Sequence, residues 1–112
     1  MTSFTIGPAS SFQATIAASA APNATIHPTN AATNSVVALP ANAARQGVIA
    51  VNNSDYTMYI AFASSASASS FTYKLAKDET LEATSGVIYT GDVSVVWAGA
   101  TGNAMITELT GA

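Results

Sequence analysis

Cysteine is absent from the 112 residues, which excludes a disulfide scaffold and any Cys-ligated zinc site and fits synthesis in a reducing cytoplasm. Charge is scarce too: Asp, Glu, Lys and Arg make up 8% of the chain, against roughly 25% in an ordinary soluble domain. Three cations, Arg45, Lys74 and Lys77, oppose six acids for a net charge of -3, so no basic patch is available to neutralise phosphates and no nucleic-acid partner is expected. Histidine occurs once, at His27, and a lone imidazole has no second histidine with which to share a metal. No long apolar run is present. The start, "MTSFTIGPASSFQATIAASAAPNA", has no Lys or Arg ahead of its apolar residues and no continuous hydrophobic stretch, so it reads as neither a signal peptide nor a membrane span. A soluble protein that is not exported by that route, with no membrane partner, is the expectation. The Asn-x-Ser/Thr triplets at Asn23 and Asn52 then read as turn chemistry or chance rather than as glycan sites.

What is present is apolar but small. The hydrophobic fraction is 49%, much of it alanine, so a core must rest on Val, Ile, Leu, Phe, Tyr and the single Trp97. This length is one domain, able to bury roughly two thirds of its unfolded surface. Abundant Ser, Thr and Asn complete a surface of short, uncharged side chains, suited to close contact with other protein.

Residues 1–34 alternate short β-prone pieces (Ser3 to Ile6, Phe12 to Ile16, Thr25 to His27) with Ala, Ser, Pro and Asn. The large apolar members, Phe4, Ile6, Phe12, Ile16 and Ile26, are spaced too widely for a helix stripe. An extended arm with one or two strands is expected here, with an Ala-rich helix from Gln13 to Ala21 as the alternative. Residues 35–112 read as strands separated by turns. "SVVAL" stops at Pro40, which cannot donate to a central ladder. "GVIAV" and "YTMYIAFA" flank Asn52-Asn53-Ser54-Asp55, and these side chains predict a β-hairpin. "SSASASS" reads as a surface loop. "FTYKLA" alternates, with Phe71, Tyr73 and Leu75 predicted inward. "TLEA" and "GVIYTG" predict short strands, and "DVSVVWAGATGNAMITEL" a last hairpin turning through Ala100 to Asn103. Half a dozen or more strands, frequent turn signals and no helical period predict an all-β domain, an antiparallel β-sandwich or compact jelly roll behind an extended N-terminal arm.

No reaction centre stands out. His27 reads as a solvent-facing loop residue. Asp78, Glu79 and Glu82 lack the dense Asp/Asn/Gly pattern of a calcium loop and read as a charged turn. Asp55, Asp92 and Glu108 could in principle supply a carboxylate pair, and no Gly-x-Ser-x-Gly elbow is present. Tyr56, Tyr59, Tyr73, Tyr89 and Trp97 could stack on sugar rings, which makes a carbohydrate-binding sandwich module the rival of another class. Alternation with Val and Ile favours core or subunit-contact roles instead, with Tyr56, Tyr59 and Trp97 as candidate interface aromatics. Arg45, the one arginine, sits just before a strand among turn residues. There it can brace neighbouring loop carbonyls, or pair with a carboxylate on a partner chain; the brace is the favoured role.

From Ser35 to about Thr110 the chain resembles a group of small virion proteins of tailed bacteriophages, among them head decoration (cement) proteins and small tail or fibre-associated proteins. The resemblance is carried by Asn42-Ala43-Ala44-Arg45 after a strand, by "GVIAVNNSD", by Tyr59 within "TMYIAF", and by "IYTGDVSVVWAGATGNAMITE" near the end. Ala76-Lys77-Asp78 stands where that group has a Pro-Gly turn. The resemblance implies no catalytic residues and no cofactor. It implies a virion protein on the capsid surface that binds the major capsid protein and itself, as a trimer or dimer, with Asn42 and Arg45 as brace or partner contact and Phe4, Ile6, Phe12 and Ile16 in a capsid-binding arm. A minor tail or head-fibre component is the alternative within the same group.

Overall fold

The computed structural model describes residues 23–111, and the expectations placed on Phe4, Ile6, Phe12, Ile16 and the 13–21 helix lie outside them. Eight strands follow one another: β1 (Asn23–Asn30), β2 (Val36–Leu39), β3 (Arg45–Asn53), β4 (Met58–Ala61), β5 (Tyr73–Leu75), β6 (Thr80–Ala83), β7 (Val93–Trp97) and β8 (Asn103–Thr110). They form two antiparallel four-stranded sheets, in the orders β1-β8-β3-β6 and β2-β7-β4-β5. β1 pairs with β8, β2 with β7, β3 with β6 and β4 with β5. This nesting of first with last, second with second-last, is the winding of a jelly roll.

β1 falls within the segment expected as an arm and is paired along its whole length with β8, from Asn23 opposite Thr110 to Asn30 opposite Asn103. Pro28 sits in this strand without breaking the sheet because β1 is an edge, where a missing N–H can face away from the partner.

The core lies between the sheets and follows the strand alternation. Val48, Ala50, Leu81, Ala104 and Ile106 point inward from the first sheet; Leu39, Met58, Ile60, Leu75, Val93, Val95 and Trp97 point inward from the second. Most of these side chains are short, so Trp97, 2% exposed, fills a large share of the space.

Four local expectations are corrected. The turn at Asn52 to Asp55 does not close a hairpin, because β3 belongs to the first sheet and β4 to the second. The turn at Ala100 to Asn103 likewise carries the chain from β7 across to β8 in the other sheet, with Gly102 at a φ of 94° that suits glycine. Of Phe71, Tyr73 and Leu75, only Leu75 is buried. β5 is three residues long at the sheet margin, where the Phe71 ring packs on Tyr59 and the Tyr73 ring on Phe62 instead of entering the core. "GVIYTG" is not a strand: its carbonyls at Tyr89, Thr90 and Gly91 are taken by Arg45 and Asn42 instead of by a ladder.

Candidate functional site

Arg45 opens β3 and is 3% exposed. Its Nε donates to Glu108 Oε2 at 2.9 Å. Nη1 donates to the carbonyls of Tyr89 (3.0 Å) and Gly91 (2.8 Å), and Nη2 to that of Pro40 at 2.8 Å. The guanidinium thus joins the β2–β3 link, the segment before β7, and β8. Asn42 sets the approach. Its side-chain carbonyl accepts the Ala44 N–H, its main-chain carbonyl accepts the Arg45 N–H, and its own N–H donates to Thr90. A carboxylate in the interior is tolerated only when charge and donors meet it, and Glu108, 9% exposed, meets Arg45. Arg45 therefore spends four of its five N–H donors inside the chain.

The other end of β3 carries a second polar pin, one not singled out from the sequence. Asn52 is fully buried. Its Nδ2 donates to the carbonyls of Tyr56 (2.8 Å) and Leu75 (3.0 Å), and its Oδ1 accepts the indole N–H of Trp97 at 3.1 Å. The signal was there: Asn52 occupies the inward parity of Val48 and Ala50, a place for an apolar residue unless its amide is fully used. Bonds of this kind fix where β3 leaves one sheet and β4 enters the other.

The remaining chemistry-bearing residues are dispersed. His27 is a β1 residue and not a loop residue; its Nε2 is buried without a partner and lies 3.9 Å from Glu108 Oε1, beyond hydrogen-bond reach. Asp92 accepts the Ala41 N–H and Glu79 the Ala76 N–H. Asp55 pairs with Lys77 at 2.8 Å on the surface. The hydrogen bond and the charge of Lys77 hold the Asp55 carboxyl below the usual carboxylate range, and the same contacts with Asp55, then Asp78, raise the Lys77 ammonium. Among the described residues no three His, Cys, Asp or Glu side chains converge as a metal site, and no helix is long and apolar enough to cross a membrane.

The candidate interface aromatics separate. Trp97 is a core residue, so its ring is closed to sugars and partners alike. Tyr56 is 42% exposed and lies over Gly99, where a Cβ would come within 2.6 Å of its ring. Tyr59 is half-buried on the outer side of the second sheet, with its ring 5.1 Å from that of Phe71. Phe62 stacks on Tyr89 at 5.0 Å and meets Tyr73 edge-on at 5.6 Å, closing the β5–β6 side of the sandwich with aromatic rings.

Among the described residues, the opposite side is open. Between β1 and β2, edge strands of different sheets, runs a groove of about 600 Å³ lined by Ile26, Pro28, Ala32, Val36, Val37 and Ala38. Val36 and Val37 are exposed there. β2 is irregular as well, its register with β7 slipping between Val37 and Leu39. Among the described residues, fold and site together define an eight-stranded jelly roll whose polar interior groups serve as pins and whose available chemistry is apolar surface and strand edge without a partner. Comparison with protein-family models, curated proteins and solved structures finds no match.

Proposed function

We propose that this chain is a non-enzymatic virion component of a tailed bacteriophage, a decoration (cement) protein that binds the outer shell of the head and stabilises it by bridging capsomers. The observation that carries the reading is the open β1–β2 flank, where Val36, Val37 and the β1 margin offer apolar side chains beside unpaired backbone. Such a margin takes a strand or loop from the major capsid protein by edge addition, in which main-chain hydrogen bonds give affinity without long charged side chains. The low surface charge and the internal use of Arg45 and Glu108 fit recognition by shape. Jelly rolls are also common among viral structural proteins, an argument from fold alone. Phe4, Ile6, Phe12 and Ile16, ahead of β1, supply further anchors on the shell. A tail or head-fibre component would use the same flank on a different repeating partner.

Co-sedimentation with purified capsids tests this. Saturable binding at lattice stoichiometry is expected, weakened at least about tenfold by Val37→Lys on the flank, together with increased resistance of the shell to heat or internal pressure. Absence from virions, or binding indifferent to Val37→Lys and to Phe4→Ser with Phe12→Ser, would overturn it.

A further inference from the structure

We infer that the outer face of the first sheet is a self-association surface, covered in solution by the same face of a second copy. The sheet alternation sends Val48, Ala50, Ala104 and Ile106 inward, and on an ordinary solvated sheet their neighbours would be polar. Here they are not. Register places Ile26 beside Thr107, Thr107 beside Ile49, and Met105 between Pro28 and Val51, with Leu109 opposite Ala24. Ile26 is 62% exposed and Met105 38%, while Ile49, Val51 and Leu109 are half-exposed. The one charge among these outward positions is Glu82, opposite Ile49 on the marginal strand β6. Three asparagines close one end, with Asn53 donating to Asn103.

Four strands at about 4.8 Å spacing, three of them about 26 Å long, present a face on the order of 500 Å² in all, its Asn, Thr and Glu82 positions included, with the apolar part at its centre. Pairing two such faces removes about 1,000 Å² from water, the lower end for a biological interface and the range of weak, reversible ones. A second copy is the occupant that fits. A two-fold axis parallel to the strands sets β8 of one copy over β3 of the other and Thr107 against Ile49. It also sends the two Glu82 carboxylates to opposite margins, so that no like charges meet. Two twisted sheets pack in this aligned fashion at about 10 Å. This face borders the β1–β2 groove along β1, where Ile26 and Pro28 belong to both, while Val36 and Val37 of the second sheet lie outside it.

Sedimentation equilibrium on the full chain tests the inference. Reversible dimers are expected, with a dissociation constant raised at least tenfold by Met105→Lys and by Ile49→Asp, and unchanged by Val87→Asp, a fully exposed residue elsewhere. A spin label on Thr107→Cys, in a chain otherwise free of cysteine, is expected to show between-copy coupling that disappears on dilution. Monomers at every concentration, which would leave the face bare or covered by residues 1–22 of the same chain, would overturn the inference. So would association that Met105→Lys leaves untouched, or absence of coupling at Thr107 in a sample that does associate.

Discussion

The two sheets treat their outer faces in opposite ways. In the second, β7 is buried on both sides, residue after residue from Val93 to Trp97. Its outward Val96 is covered by Ala61, Ala66 and Tyr59, and its outward Ser94 donates to the Ala63 carbonyl. The cover is the chain's own β4–β5 connection, tacked down where the Ala66 N–H meets the Ser35 hydroxyl. In the first sheet, β8 is buried only on alternate residues, and among the described residues nothing comparable lies over Met105 or Ile26. One sheet has its second face sealed by a loop of small residues; the other carries apolar side chains on a face that no other described residue covers. In a sequence this poor in charge, apolar side chains line both faces of a sheet, and the chain's own loop covers one of them.

The largest effect is expected at the pins that hold the sheets apart from each other's registers. Glu108→Gln leaves the Arg45 charge buried without its partner and is expected to cost about 3–5 kcal/mol in chemical denaturation. Replacing both residues by apolar ones of similar size removes the unpaired charge but leaves the Pro40, Tyr89 and Gly91 carbonyls without their donor, so only part of that loss is expected to be recovered. Asn52→Ala strands the Trp97 indole N–H and two carbonyls and is expected to cost roughly 2–3 kcal/mol, with altered Trp97 fluorescence. The comparison of faces is sharpened by one substitution made twice: Val96→Thr places a hydroxyl under the covering loop and is expected to cost about 1–2 kcal/mol. Val51→Thr on the open face, measured in dilute monomer, changes stability by no more than about 0.5 kcal/mol. Equal costs at the two positions would erase the distinction between the sheets.

The smallest effect is at Asp55 and Lys77, both at the surface. A carboxyl held low in the folded state adds stability above its unfolded titration range and loses it as pH falls through the folded one. Here the window is acidic, below the usual carboxylate range. Lys77→Ala is therefore expected to move the Asp55 carboxyl resonance upward in an NMR titration while leaving the neutral-pH unfolding midpoint where it was.

The fold class was legible because the evidence for it is local: alternation at "GVIAV" and "TLEA" and the stop at Pro40 depend only on neighbours, and β3, β6 and the end of β2 lie there. Pairing was not. Asn52 to Asp55 and Ala100 to Asn103 announce reversals, but a turn does not say whether the chain rejoins the strand it left. In a jelly roll, where only β4–β5 is a pair adjacent in sequence within one sheet, most reversals cross between sheets. The 86–91 segment misled for a related reason, since its apolar residues suit a strand while its carbonyls belong to an arginine more than forty positions earlier. Arg45 could be picked out as a brace by its place before a strand. Its carboxylate partner on β8 could not, because only tertiary structure brings Glu108 to it.

The most direct test of the contrast between a sealed face and a waiting one is methyl solvent exposure, read by NMR with a soluble paramagnetic agent as protein concentration rises. Ile26, Ile49 and Met105 are expected to become protected together, while Val87 stays exposed and Val96 is protected throughout. Protection of Ile26, Ile49 and Met105 that is already complete at the lowest concentration, or that never develops, would contradict the account.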